Sequence, residues 1–520
     1  MRQIIFILWI VFTLVGLASC FEDESSLGGT LGKIEIEKLR DTTIISYSGN
    51  RLEIRPVIVS DYTEEQLAYV WYMFNTKYNE YSSDGLPEGY RDCPVAEGRD
   101  LSYEVNLAPG TYTFVLEVTA KDGYVQTSTM NLSVSTNFSD GFYVLKETAA
   151  GGTELDIVTK DGLTADLLTA RLGTPLQGTP ANLSVIYYQS YINEETQKMA
   201  AANMVHVFTG KDYLGLRSED LAPVFDRTNL LFEQMTADEV LYGMVQNSMY
   251  VYCLTDRGVR SVTTADMPSS GKFGFEAGTG ASKYMQMPLD GNNMGAVYWE
   301  NEKHRLYVLD WRGAFPLEYE IPVGTDESRL ECIACGSYFP EGYKTTVWFL
   351  CEDLTDGERY LYLDEENMLQ GTQVVTVRKI AASTCLAQGS FISGNTFDGT
   401  LIYVLHDNGL WGYNFEGGSQ FKIELQGIGE GETLTYVSNP FIHISSKTDS
   451  FNNLVVGTEK GNEYRLYFYD RLVGGAPTGA PIRVVKGSGK LKSVRYISSA
   501  VTYDEMRGAC QVGPVFPVCD

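Results

Sequence analysis

Cations are scarce in this chain. Against 67 Asp and Glu stand only 40 Lys and Arg, a formal net charge of −27, and a surface of that sign is repelled by phosphate backbones, which excludes nucleic acid as a partner. Histidine is rarer still, with four in 520 residues, so few imidazoles exist for a metal site or a general base. Long segments with apolar residues at helical spacing are missing, which excludes a helical bundle. Nine cysteines are too few to staple a chain this long, although an even number remaining after one is consumed would permit disulfides. What is abundant points the other way. With 34 Tyr and 51 Gly, the composition is that of an all-β protein with many turns, and the length predicts two or more domains.

The one continuous apolar run, Ile4 to Val15, follows a single cation, Arg2, and precedes the small residues Gly16, Ala18 and Ser19. It is shorter than the roughly 20 residues a membrane-spanning helix needs and has the order of a secretory signal over residues 1–19. Leu17-Ala18-Ser19-Cys20 resembles a bacterial lipobox, in which the Cys20 thiol is the nucleophile that accepts diacylglycerol. Cleavage would leave a lipidated Cys20 at the new amino terminus and anchor the protein to a membrane without a spanning helix. Loss of Arg2 with the signal takes the charge from −27 to −28. Residues 20–33 read as a flexible tether, and the acidic cluster Glu22-Asp23-Glu24 resembles the export tag of Bacteroidetes lipoproteins displayed on the outer face of the outer membrane.

Residues 34–136 carry short alternating segments separated by turn residues, among them Leu52 to Ile58, Ala68 to Phe74, Leu107 to Thr119 and Met130 to Val134. About seven such strands in about a hundred residues is the rhythm of an immunoglobulin-like sandwich, with Trp71 expected in its core. Pro109-Gly110-Thr111-Tyr112 leading into Val118 and Gly123-Tyr124, with Trp71 on the preceding strand, resembles PKD domains and matches the PKD-like family of Bacteroidetes lipoproteins. Trp71-Tyr72-Met73-Phe74 departs from the acidic and glycine turn that often follows the tryptophan in ordinary PKD domains.

The rhythm changes at Asn137-Phe138-Ser139-Asp140-Gly141, and residues 140–520 repeat. Arg305 to Asp310, Tyr360 to Asp364 and Arg465 to Asp470 share a Leu-Tyr-x-(Leu/Tyr)-Asp pattern, and weaker copies lie at Leu155 to Val158, Tyr213 to Leu216, Val259 to Val262 and Leu410 to Tyr413. Their spacing, roughly 50 residues, is that of propeller blades, and seven copies predict about seven blades. Closing such sheets into a ring buries their apolar faces; an open solenoid would want capping repeats at both ends. Lys492 to Tyr503 is expected to clasp the last blade to the first.

Catalytic signatures were sought and not found. Gly487-Ser488-Gly489-Lys490-Leu491 lacks the upstream glycine and the hydroxyl of a phosphate loop, Gly427 to Gly431 lacks dinucleotide spacing, and Gly389 to Gly394 is out of register for a nucleophile elbow. Cys332-Ile333-Ala334-Cys335 is half of a zinc site without a second pair. Asp407-Asn408-Gly409-Leu410-Trp411 resembles a sialidase Asp-box, but it is one residue short and reads as a hairpin turn. His206, His304, His406 and His443 have no evident carboxylate partner. Accordingly no catalytic residue, metal or cofactor is assigned. A ligand is expected near one rim at Trp299, Trp411 and Asp407, because Trp299 and Trp411 flank the same class of turn while Trp311 flanks the opposite one. The family resemblance implies a non-catalytic lipoprotein of the outer membrane, facing the exterior, that captures glycan or peptide beside a SusC/SusD-like uptake pair. A surface hydrolase or lyase acting on polysaccharide, and an adhesive or structural scaffold, are the alternatives.

Overall fold

The computed structural model describes residues 32–46, 50–75, 86–87, 89–105, 107, 109–194, 196–246, 250–263, 269–274, 276–286, 296–309, 316–318, 326–338, 344–367, 372–394, 399–439, 453–472 and 474–498. The signal, Cys20, the acidic cluster, Trp311, His443, Cys510 and Cys519 lie outside the described residues. Two compact units divide the chain, 1–136 and 137–520.

The first unit is a sandwich. Strands β1 (Ile34–Ile36), β2 (Thr42–Ile45), β3 (Arg51–Ile54), β4 (Ile58–Ser60), β5 (Leu67–Asn75), β6 (Pro94–Glu97), β7 (Leu101–Glu104), β8 (Gly110–Ala120) and β9 (Val125–Ser135) form a five-stranded sheet, β2-β9-β8-β5-β6, and two ribbons, β1-β4 and β3-β7. Along β9 the buried Met130, Leu132 and Val134 alternate with exposed neighbours, the period-2 pattern of a strand with one wet face. Ribbon residues Ile34, Leu52 and Leu101 pack in one cluster with Trp71, Phe114, Leu116 and Leu132 of the sheet. Trp71 is fully buried, and its indole N–H donates to the carbonyls of Gly98 and Arg99 at 3.2 and 3.3 Å. It is a core residue with its one polar atom satisfied.

The second unit is a propeller of seven four-stranded sheets. Blade 1 is built on β10 (Gly141–Glu147), β11 (Thr153–Thr159) and β12 (Gly162–Thr164). Blade 2 is β13 (Pro180–Asn193), β14 (Lys198–Thr209), β15 (Tyr213–Arg217) and β16 (Pro223–Asp226); blade 3 is β17 (Leu241–Gln246), β18 (Tyr250–Thr255), β19 (Gly258–Thr263) and β20 (Glu276–Thr279). Blade 4 is β21 (Met285–Gln286), β22 (Val297–Glu300), β23 (Arg305–Val308) and β24 (Leu317–Glu318); blade 5 is β25 (Leu330–Tyr338), β26 (Lys344–Asp353), β27 (Arg359–Asn367) and β28 (Thr372–Lys379). Blade 6 is β29 (Phe391–Gly394), β30 (Leu401–His406), β31 (Gly409–Asn414) and β32 (Gln420–Ile423); blade 7 is β33 (Thr433–Ser438), β34 (Leu454–Lys460), β35 (Glu463–Tyr469) and β36 (Arg483–Ser488). Calling the strands of each blade A to D in chain order, the A strands touch from blade 2 to 3, from blade 4 through 5, 6 and 7 to 1, and from 1 to 2, so they form the inner ring.

Closure is made by the last strand, β37 (Lys490–Ile497), which pairs antiparallel with β10 and is the A strand of blade 1. Sequence reading set this clasp at Lys492 to Tyr503; it begins two residues earlier, and residues beyond 498 lie outside the described ones. One residue, Gly489, links β36 to β37, with φ +103° and a position where a Cβ would sit 2.6 Å from the Glu147 carbonyl oxygen, so only glycine fits. Apolar clusters then join blade to blade: Phe208 and Met244 for 2 and 3, Leu254 and Tyr298 for 3 and 4, Trp299 and Phe349 for 4 and 5. Leu350 and Ile402 do so for 5 and 6, Tyr403 and Val456 for 6 and 7, and Val455 and Val494 for 7 and 1. Because β37 and β10 also touch β13, blade 1 meets blade 2 and the cycle of blades is complete.

Candidate functional site

Antiparallel pairing sends the B–C turns and D–A connections to one face of the ring and the A–B and C–D connections to the other. The two faces are built differently. On the first, B–C turns span two to five residues, from 256–257, 407–408 and 461–462 up to 148–152 and 354–358. In five blades the turn amides are held by the side chain that ends strand B or directly follows it. Thr148 accepts from Gly152 N at 3.1 Å, Thr209 from Asp212 N at 2.7 Å, Thr255 from Arg257 N at 3.0 Å, Glu300 from Glu302 N at 3.1 Å and Asp353 from Thr355 N at 2.7 Å.

Buried charges stitch the same face. Lys146 Nζ lies 2.7 Å from Asp156 and 2.8 Å from Asp166, and Tyr464 of blade 7 donates to Asp156 at 2.7 Å. Burial works against the Lys146 cation, but the two carboxylates outweigh it and raise its pKa. Glu154 accepts from the amides of Leu168 and Thr169 at 2.7 and 3.1 Å in the connection to blade 2. Before β33, Glu432 accepts from Tyr467 OH at 2.8 Å and Thr458 Oγ1 at 2.5 Å, and pairs with Arg465.

The residues expected to bind a ligand belong to this stitched face. Trp299 is fully buried between blades 4 and 5, edge-on to Tyr362 with ring centroids 5.7 Å apart, so it has no face to offer a ligand. Asp407 and Asn408 form the two-residue turn between β30 and β31, with φ of 49° and 51°, the left-handed pair of a type I′ hairpin. The Asp407 side chain is exposed, 3.3 Å from His406, while Trp411 is half-buried with its ring 6.3 Å from the His406 ring. Asn408 is the working residue of the turn: its Oδ1 accepts from Leu434 N at 2.8 Å and its Nδ2 donates to Glu432 O at 3.4 Å, clamping blade 6 to blade 7. His304 makes the matching clamp from blade 4 to blade 5, donating from Nδ1 to Leu330 O at 2.7 Å. Trp299 is thus taken up by packing between blades, while Asp407 and Trp411 both flank His406 on blade 6.

The opposite face carries the A–B and C–D connections, which as a class are no longer than the D–A connections 165–179 and 227–240 of the first face. At blade 2 the β13–β14 hairpin runs on past its blade. Pairs from Gln189↔Ala202 to Asn193↔Lys198 lie beyond Met204↔Arg217, where β15 leaves β14. Arg217 braces this overhang, donating to Tyr191 OH at 3.1 Å and bidentately to Asp220 at 2.9 and 2.5 Å. Burial alone would raise the Asp220 carboxyl, but Arg217 holds it below the ordinary value. Gly271 supports the overhang from blade 3, where a Cβ would fall 1.8 Å from Ser190 O.

A bulge between Ile186 and Gln189 marks the root of the overhang, at the inner edge of the ring. Its two β13 residues, set against Asn203 alone on β14, are tyrosines. Tyr187 N donates to Gln246 Oε1 at 2.8 Å and Gln246 Nε2 returns a bond to Tyr187 O at 2.6 Å, while Tyr187 OH accepts from Ser498 N at 3.2 Å. Tyr187 therefore ties together blades 1, 2 and 3. Tyr188 is half-buried and held at φ +52°, a conformation costing a bulky residue on the order of 1–3 kcal/mol and found preferentially at functional sites. Its amide is held by Asn203 Oδ1 at 3.1 Å. On β14, His206 donates from Nε2 to Gln189 Oε1 at 2.6 Å and accepts at Nδ1 from Tyr213 OH at 2.7 Å. Burial lowers the His206 pKa to about 3, so the ring stays neutral, and its partners are an amide and a phenol rather than a carboxylate. Aromatic rings set among amides suit stacking on a sugar or a peptide side chain. Tyr187, Tyr188 and Gln189 are not among the positions expected from the sequence to bind a ligand. Their visible signal was the tandem Tyr187-Tyr188 followed by Gln189 directly after the apolar Val185-Ile186. Among the described residues no group of three His, Cys, Asp or Glu could hold a metal ion.

These features define a two-unit all-β protein, an immunoglobulin-like sandwich joined to a seven-bladed propeller. Residues 20–180 match the model of the PKD-like family, and the match continues beyond the sandwich across β10, β11 and β12. Among solved structures it is similar to dihydro-haem d1 dehydrogenase NirN, at 9% identity and a TM-score of 0.34, covering 84% of this chain and 76% of that one. A DUF4784 family protein from Bacteroides caccae matches at 11% identity and a TM-score of 0.31, covering 76% of this chain and 96% of that one. The WD40 domain of SCAP from fission yeast matches at 11% identity and a TM-score of 0.34, covering 60% and 76%. No curated protein matches the chain.

Proposed function

We propose that this chain is a non-catalytic ligand-binding lipoprotein of the cell surface, held in the outer membrane by lipid on Cys20, with the sandwich as a spacer and the propeller as the capture module. The observation that carries this reading is the asymmetry of the ring. One face is locked by short B–C turns and buried ion pairs, while the other bears an overhanging hairpin rooted in the strained Tyr188. Binding surfaces are typically loops and strained residues held on a rigid scaffold. Tyrosine rings and amides at that root favour glycan or peptide over phosphate-bearing ligands, as does the net charge of −27. The lipobox and the acidic run behind it support display at the surface, and capture there would serve a SusC/SusD-like uptake pair.

The test is to incubate the purified protein with a panel of polysaccharides and peptides and to record both retention and released product. Retention without product is expected, and it should fall in a Tyr188→Ala variant while persisting in Trp411→Ala and Asp407→Ala. Release of product would make the protein a surface hydrolase or lyase, and neither retention nor release would leave it a scaffold. Display is tested separately: Cys20→Ser should move the protein from the detergent phase to the aqueous phase, and protease added to intact cells should remove the native form.

A further inference from the structure

Blade 5 holds three cysteines on one face of one sheet. Cys332 and Cys335 on β25 are three residues apart, a spacing that in a regular strand puts side chains on opposite faces. A bulge between Cys332 and Ala334 shifts the parity, so both thiols join the apolar cluster facing blade 4 while Ala334 turns to the cluster facing blade 6. Cys351 of β26 faces blade 4 as well, and in the ladder it is the direct partner of Cys332. Directly opposed residues of an antiparallel pair have Cα atoms about 4.5–5.5 Å apart, inside the span a disulfide bridges. Cys335 lies opposite Phe349, which makes its relation to Cys351 the longer diagonal, and its sulfur accepts from Gln286 Nε2 at 3.3 Å.

From this geometry we propose that Cys332 and Cys351 form a cross-strand disulfide when the chain folds under oxidising conditions, with Cys335 remaining a thiol. In chemical terms two thiols lose two electrons and two protons to the disulfide of an oxidant, a thiol–disulfide oxidoreductase in the cell or oxidised glutathione in the tube. A sulfur–sulfur bond forms between Cys332 and Cys351, and the oxidant leaves as two thiols. Both residues are buried, at 2% and 0% exposure, and burial raises the Cys351 thiol, so little thiolate exists once blade 5 has packed on blade 4. Oxidation belongs to folding, and the finished bond is shielded from reductant. The inference goes beyond the capture function and does not depend on it.

The experiment is to refold the full chain with oxidised and reduced glutathione, denature it, alkylate the thiols, digest without reductant and identify linked peptides by mass spectrometry. The expected result is one peptide pair joined through Cys332 and Cys351, lighter than the separate peptides by two hydrogens, still present in Cys335→Ala and absent in Cys351→Ala. Recovery of both Cys332 and Cys351 alkylated from protein whose circular dichroism is native would overturn the proposal. So would a link from either residue to Cys335.

Discussion

The two faces of the propeller differ in where they keep their polar groups. On the B–C and D–A face, carboxylates are buried, paired and spent on holding blades together: Asp156 with Lys146 and Tyr464, Glu432 with Arg465, Tyr467 and Thr458, Glu154 on the connection to blade 2. The A–B and C–D face instead ends inner strands in tyrosine, glutamine and serine, and extends one hairpin past its blade. Rigidity on one side lets the other side diversify, since a connection there can change length without opening the ring. Chemistry should therefore be sought where the sheet ends are loosely specified, not where aromatic residues are most numerous.

The sharpest way to break this contrast is to remove one ion-pair member on each face. Asp156→Ala leaves Lys146, which is 1% exposed, with only the half-exposed Asp166. An uncompensated buried charge costs about 3–5 kcal/mol, and urea unfolding should show a loss of that size. Asp220→Ala breaks a pair whose arginine is 25% exposed, and about 1–2 kcal/mol is expected. Equal losses would mean the faces are not differently built.

Second in size is an effect of pH at Glu327. This residue precedes β25, is buried beside Tyr362 and lies 3.7 Å from Arg305 Nε, and burial raises its pKa from 4.5 to about 7. The folded state thus holds a proton that the unfolded state releases earlier. Its stabilising contribution is complete below about pH 4.5 and is lost as pH rises through about 7, on the order of 3 kcal/mol at 1.36 kcal/mol per unit. Unfolding free energy measured across that window should fall, and Glu327→Gln should flatten the slope. An unchanged slope in the variant would assign the pH dependence to another group.

Much of this architecture was legible because repetition marks it. All seven copies of the Leu-Tyr pattern fall on C strands, β11, β15, β19, β23, β27, β31 and β35, so counting them counts blades. Trp71 was legible as core for the same reason that β9 was, since a sandwich strand has one dry face. Trp299 was not. A blade is buried on both faces, so Val297 and Trp299 pack towards blade 5 while Tyr298 packs towards blade 3, and the apolar pattern cannot say which residue reaches a rim. The buried carboxylates were hidden by abundance, because nothing in an acidic chain separates Asp156 from its solvated counterparts before the fold is known. The B–C acceptors Thr148, Thr209, Thr255, Glu300 and Asp353 were visible in principle as a polar residue at each strand B end, but their spacing follows a turn and not a periodicity.

Asn408 gives a smaller effect on the stitched side. Asn408→Ala removes both bonds to blade 7 and puts alanine at φ 51°, for which about 1–2 kcal/mol of lost stability is expected. Asn408→Gly tolerates the left-handed turn and should recover part of that loss. If glycine is no better than alanine, the side-chain clamp alone carries the residue's contribution.

The smallest stability effect, and the most informative for function, belongs to Tyr188→Gly. Glycine adopts φ +52° without steric cost, so relief of strain favours the variant, while the greater freedom of glycine in the unfolded chain and the lost ring contacts oppose it. The balance should lie within about 1 kcal/mol of the native protein, and the amide bond to Asn203 is available to either residue. Ligand retention responds differently, because the ring is the part of Tyr188 that can stack. A variant as stable as the native chain that no longer retains its ligand would show that the strain is tolerated for the sake of the ring. Undiminished retention would show that the bulge serves only to turn β13 out of its blade, and the capture site would then have to be sought elsewhere on that face.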